Sequence, residues 1–363
     1  MVGPMVKAFG LVLAALWLSA CQRGCAPSGS APSEDDARVS LVGPKPGEFR
    51  PIAPKDAMFE AFEAGGSRVV YAIHGDDGTR FMSVAIEGEP HELELAHVEH
   101  YGSSIDCALS DDPCLIDVTE RSHPTVLSTK DPSYVVLVRR AQKQSLKLVG
   151  PWGKDAGSGH MSPDGTFAVI GGIQAKPEGG GFFRVLHFVL VEAPDKIVTY
   201  VHGDDWPDID SWQGAGDDLR AIVRNARYGE AGTSWASFDP RTNQTTELPE
   251  QPSRVSPDGK HRCSCKKGEE IVITDVASGA TRSFPLMPRE RHLLRYGCDV
   301  AWRGSQFLEF WPERSAFIDI ESLKLSYPFA AGAEPLDLHF DRSLTWAVIT
   351  QNSQPAIARV TVR

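Results

Sequence analysis

Apolar and polar positions along this chain repeat as a unit: a strand-like apolar run, a tight Gly/Asp/Pro/Ser turn, then a second apolar run. The unit returns seven times. Two copies match closely, Met161-Ser-Pro-Asp-Gly165 followed by Thr166 to Ile170, and Val255-Ser-Pro-Asp-Gly259 followed by Lys260 to Cys265. Pro presets φ for the turn and Gly supplies a positive φ, so each predicts a closed hairpin. Looser copies stand at Ala64-Gly-Gly-Ser67, Ser110-Asp-Asp-Pro113, Gln213-Gly-Ala-Gly216, Arg303-Gly-Ser305 and Asp341-Arg-Ser343. A spacing of roughly 46 residues is the size of one four-stranded propeller blade.

Alternating apolar residues extend each repeat to four antiparallel strands. In the fifth they are Ser253 to Val255, His261 to Cys265, Glu270 to Val276 and Thr281 to Leu286. Several third strands end in an acid, as at Asp239, Asp275 and Asp319, where a carboxylate satisfies turn amides. The last repeat supplies three strands before the chain ends. Arg38-Val-Ser-Leu-Val42 has the composition to pair beside the C-terminal strand and close the circle. The expected fold is therefore all-β, a propeller of seven four-stranded blades closed by an N-terminal strand, with six and eight as the neighbouring counts.

The Ser-Pro-Asp-Gly hairpins resemble those of TolB-type and related bacterial β-propellers, a likeness covering roughly residues 56 to 363, with the full motif in two blades. Ahead of the repeats stand Lys7, an apolar run from Ala8 to Leu18, and Leu18-Ser19-Ala20-Cys21. The run is too short to span a bilayer and reads as a cleaved leader. Its final tetrapeptide resembles the lipobox of bacterial lipoproteins, which implies that Cys21 becomes the acylated first residue, a membrane anchor. Under the family's sorting rule, Gln22 in place of Asp implies the outer membrane of a Gram-negative cell. Residues 21–37 form a Ser/Pro/Gly/Ala-rich tether, and 38–363 the propeller domain.

Without the leader the chain has 36 basic and 48 acidic residues, which disfavours nucleic acid and anionic lipid surfaces as partners. A monomer is expected. Cysteines beyond Cys21 fall where disulfides persist. Cys107 and Cys114 flank a hairpin turn; Cys263 and Cys265 share a strand face, and one of them is placed to reach Cys298.

No nucleophile elbow or phosphate loop is present, and the α/β domain that accompanies propellers in prolyl peptidases is missing. His91, His97 and His100 with Glu92, Glu94 and Glu99 are the nearest approach to a metal set, along a stretch expected to bend near Ala96. No metal and no cofactor is expected. Asp204, Asp205, Asp208 and Asp210 crowd one loop without the glycine spacing of a calcium site.

In a propeller the second-to-third strand loops and the connections between blades gather on one face. Here those segments carry Trp152, Trp206, Tyr228 and Tyr296 beside Arg289, Arg291, Asp204 and Asp205, the candidate binding face. Trp212 and Trp302 are expected to fill gaps between blades. The leading expectation is a membrane-tethered, non-catalytic scaffold or ligand-binding module for an envelope protein or a small ligand. The alternative is an envelope hydrolase or lyase acting from the channel, with His160, Asp210, Asp337 and His339 as first-strand candidates. A purely structural lipoprotein is the third reading.

Overall fold

The structure is a computed structural model. It describes residues 48–360 apart from 64, 89–90, 109, 111, 121–132, 153–158, 177–181, 204, 227–232, 267–269, 287–299, 311–315 and 329–337. These residues form seven four-stranded antiparallel sheets arranged as a ring. Blade one holds Met58–Phe62, Arg68–Gly75, Gly78–Ala85 and Glu92–Val98, in that order from the innermost strand outward. Blades two to six repeat this order from inner strands Tyr101–Cys107, Gly159–Met161, Trp206–Gln213, Arg254–Val255 and Val300–Arg303. In blade five the strands are Arg254–Val255, His261–Lys266, Glu270–Asp275 and Thr281–Pro285, within a residue or so of the alternation in the sequence.

Blade seven draws on both ends of the described chain. His339–Phe340, Trp346–Gln351 and Gln354–Arg359 are its first three strands, and Arg50–Pro51 pairs antiparallel with the third. Arg50 lies opposite Ile357 and Pro51 opposite Ala356. The segment expected in this role, Arg38 to Val42, lies outside the described residues.

Turn chemistry explains why the repeats fold alike. In blade three Ser162 Oγ accepts the Phe167 N–H at 2.8 Å, Asp164 Oδ1 accepts the Thr166 N–H at 3.0 Å, and Gly165 takes φ 72°. Blade five repeats this with Ser256, Asp258 and Gly259 at φ 73°. The acids at third-strand ends act as expected: Asp239 accepts the Arg241 N–H, Asp275 the Ser278 N–H, and Asp319 those of Glu321 and Ser322. Despite opposing burial at Asp239 and Asp319, these bonds hold all three carboxyls below their ordinary range.

The apolar core is divided into wedges between neighbouring blades. Phe188, Phe238 and Tyr200 fill the wedge between blades three and four, with the two phenylalanine centroids 4.8 Å apart. Phe317 meets Phe340 edge to face at 5.0 Å between blades six and seven, and Val348 and Ile357 of blade seven pack with Val69 and Tyr71 of blade one. Each such buried side chain stabilises the ring by about 1.5–3 kcal/mol. Trp302 fills a gap between blades, its Nε1–H donating to the Arg254 carbonyl at 3.1 Å, and half-buried Trp212 packs against Phe188.

Cys107 and Cys114 are directly opposite in register and form a disulfide. Cys265 is also disulfide-bonded, to a partner outside the described residues, whereas Cys263 is a buried free thiol whose pKa is pushed up to about 12 by desolvation.

Candidate active site

The innermost strands face the axis, and three of them carry a bulge. In blade one Phe59 pairs with Tyr71 and Ala61 with Val70, so Glu60 has no opposite residue. In blade two Ser103 is skipped between Gly102 and Ser104, and in blade four Asp210 between Ile209 and Ser211. A bulge breaks the two-residue alternation and re-aims its side chain, which is why bulges recur beside active sites.

Glu60 opens onto a cavity of about 350 Å³ whose wall includes Phe59, Asp106, Arg140, His339 and Arg342. Apolar residues of the same wall, Phe62, Val70, Leu95 and Ile105, surround the half-buried Glu60 side chain. Among the described residues Glu60 has no hydrogen bond and no ion pair, and burial alone pushes its pKa from 4.5 up to about 8. It therefore keeps a proton at neutral pH.

Of the charged residues on the wall, Glu63, Arg303 and Asp106 are tied down. Glu63 accepts the Ser83 hydroxyl at 2.5 Å and faces Arg68, while Arg303 Nε binds Glu309 Oε2 at 2.5 Å. Asp106 Oδ2 accepts the Met161 N–H at 2.8 Å and faces His160 Nδ1 at 3.7 Å. That carboxylate raises the pKa of His160 above its ordinary 6.5, against the opposing effect of burial. The His339 ring lies on Phe59, centroids 4.7 Å apart. One cavity thus holds three carboxyl groups, Glu60 desolvated, Glu63 bonded to Ser83 and Arg68, and Asp106 anchored by an N–H and a histidine.

Of the first-strand candidates, the structure brings His339 to this cavity and places His160 against its wall residue Asp106. Asp210 is locked elsewhere, accepting Gln251 Nε2 at 3.0 Å and Arg254 Nη2 at 3.3 Å. Asp337 lies outside the described residues. Sequence alternation missed Glu60 because a bulge is invisible to a period of two; its signal is a lone acid inside Met58-Phe-Glu-Ala-Phe62.

The candidate binding face divides. Trp152 is 3% exposed, packed with Val135, Ile170 and Val189 between blades two and three, so it does not present a surface. Gly150 permits this fold, since a Cβ there would meet the Trp152 ring at 2.2 Å. Asp205 is 6% exposed and bonds His202 Nδ1 at 3.0 Å, and Asp208 pairs with Arg224 at 2.9 Å, so these acids turn to separate partners. Trp206 is 39% exposed beneath the guanidinium of Arg184. Cys21, Asp204, Tyr228, Arg289, Arg291, Tyr296 and Cys298 lie outside the described residues. The stretch expected to bend near Ala96 is instead one strand, Glu92–Val98, bulged at Leu95.

No protein-family profile and no curated protein sequence matches the chain. Solved structures do, among them "Oligogalacturonate lyase in complex with manganese", with a TM-score of 0.54, 12% identity, and coverage of 90% of this chain and 96% of that one. At this identity the likeness speaks to the fold. It overturns the expectation of a non-catalytic protein drawn from the architecture, because a ring matched over nine-tenths of this chain belongs to an enzyme. Manganese does not fit here among the described residues. No group of three or more His, Cys, Asp or Glu side chains among them gathers to hold a metal ion; His339 lies tilted against Phe59 and His160 faces Asp106.

Proposed function

We propose that the chain is an envelope enzyme, a hydrolase or lyase that cleaves a glycan by proton transfer in the propeller channel. The observation that carries this reading is Glu60: a carboxyl without partners, raised to about 8, at a bulge beside a 350 Å³ cavity. A carboxylic acid still protonated at neutral pH is poised to protonate a leaving glycosidic oxygen. Asp106, in the same cavity, is the carboxylate to activate water in hydrolysis; in elimination it would take the carbon-bound proton while the leaving oxygen takes the proton of Glu60. Lyase chemistry in a solved propeller of this architecture supports the class.

The leader and Leu18-Ser-Ala-Cys21 support a lipid-tethered enzyme in the envelope, with Gln22 favouring the outer membrane and residues 21–37 as the spacer. The enzyme works as a monomer on this reading.

The test is to assay the mature chain and Glu60→Gln on a panel of plant, bacterial and animal polysaccharides. New reducing ends report any cleavage, and ultraviolet absorbance of an unsaturated product separates elimination from hydrolysis. Cleavage by wild type that falls at least ~100-fold in Glu60→Gln supports the proposal. Equal turnover by the variant, or no cleavage across the panel, overturns it.

A further inference from the structure

Blades three and four part around a second opening of about 400 Å³. Its sides are braced: Asn225 Nδ2 donates to Tyr200 Oη at 3.0 Å across the two blades, and Arg224 Nη2 to Asp208 Oδ2 at 2.9 Å. Gly171 and Gly172 line it with backbone alone. His160, on its wall, is the residue facing Asp106 of the Glu60 cavity at 3.7 Å, so the two openings adjoin through this pair.

Trp206 and Arg184 give this crevice its chemistry. The guanidinium carbon of Arg184 lies 3.6 Å from the centroid of the indole ring. Stacking orients a guanidinium through its flat face, and its N–H fork remains available for a planar anion. Among the described residues Arg184 has neither a carboxylate partner nor a hydrogen bond, although the chain has a formal net charge of −11. Trp206, still 39% exposed, offers apolar surface beside that fork. An oriented cation next to an open aromatic matches a ring with an apolar C–H face and a carboxylate at its edge.

We propose that this crevice is a subsite for a carboxylate-bearing sugar, with the carboxylate held by Arg184 and the ring packed on Trp206. The inference deepens the glycan-cleaving reading and rests on it for the link between this subsite and the Glu60 cavity. Bidentate pairing of Arg with a carboxylate is stronger than a neutral hydrogen bond and fixes orientation, so it would set which residue of a glycan reaches Glu60.

Calorimetric titration of the mature chain tests this, with four probes: a galacturonic acid trimer, a glucuronate-containing hyaluronan hexamer, a neutral galactose trimer and inorganic phosphate. At least one acidic sugar is expected to bind wild type, with Arg184→Ala and Trp206→Ala each weakening it by about tenfold and Arg184→Lys recovering only part. Both side chains are exposed, so unchanged thermal unfolding verifies that the variants fold. Failure of both acidic sugars to bind at millimolar concentration overturns the subsite, as does equal binding of the neutral trimer or no effect of Arg184→Ala. Phosphate binding as tightly as the sugars also overturns it, in favour of a simple anion site. Glu60→Gln should bind like wild type. If acidic sugars bind through Arg184 and no glycan is cut, the catalytic reading falls and the subsite stands; if a glycan is cut with Arg184→Ala unaffected in binding and turnover, the subsite falls and the catalytic reading stands.

Discussion

Glu60 and Asp210 are the bulged residues of the inner strands of blades one and four, and their surroundings could hardly differ more. Asp210, with its side chain 6% exposed, is met by Arg254 at 3.3 Å, Gln251 at 3.0 Å and its neighbour Ser211 at 3.1 Å. Glu60 is met by none. A repeat that places an acid at the axis twice thus yields a structural tie in one blade and a proton-holding group in the other. What separates them lies outside the bulge: blade five supplies Arg254 to Asp210, whereas in the cavity beside Glu60 Arg303 is taken by Glu309, and neither Arg140 nor Arg342 pairs with Glu60. On the glycan-cleaving reading, reactivity in this ring would come from withholding a partner.

Substitutions can break that contrast from either side. The largest effect expected is on turnover, where Glu60→Gln should lose at least ~100-fold while the corresponding Asp210→Asn loses far less. Next is stability. Arg254→Met strands the Asp210 carboxylate in a buried site and should destabilise the fold by about 3 kcal/mol in chemical denaturation, with Asp210→Asn in the same chain restoring most of the loss.

The pH dependence of stability should sharpen the contrast further. Glu60 keeps its proton up to about 8 in the folded chain, but the unfolded chain releases it near 4.5. The folded state binds the extra proton across that window, so this group's contribution to stability is lost as pH rises from 4.5 to 8 and is constant above. Urea midpoints across the window should therefore fall more steeply in wild type than in Glu60→Gln; parallel slopes would remove the case for a buried, unpaired carboxyl. The smallest effect belongs to the third bulge: Ser103 is exposed, with one long contact of 3.4 Å to the Asp117 carbonyl, and Ser103→Ala should change stability by less than ~0.5 kcal/mol.

The fold was legible because its determinants are local. Ser162, Asp164 and Gly165 build their turn from bonds within a few residues, and the copy at Ser256 does the same, so the repeat announces blade and period together. The site was legible only in part. His339 and His160 stand out as polar residues on inner strands, but Glu60 depends on a register slip against Tyr71 and Val70 that no periodicity reveals. Trp152 was misread for a related reason. A tryptophan in a connection between strands looks the same in sequence whether it faces solvent or, as here, folds over Gly150 into the wedge with Val135 and Ile170.

The seam in blade seven gives the ring a mechanical direction. Tension applied through the chain ahead of residue 50 would enter at Arg50–Pro51, a strand with two paired residues, supported by the Ile52 N–H on the Pro355 carbonyl at 3.0 Å and by Gln354 on the Ala53 carbonyl. The inner strands of the other blades are not in that line of force. A pull at the N-terminal end would therefore peel one outer strand of one blade before it reached the channel, and the cavity beside Glu60 would be the nearest functional element to feel the rim give way.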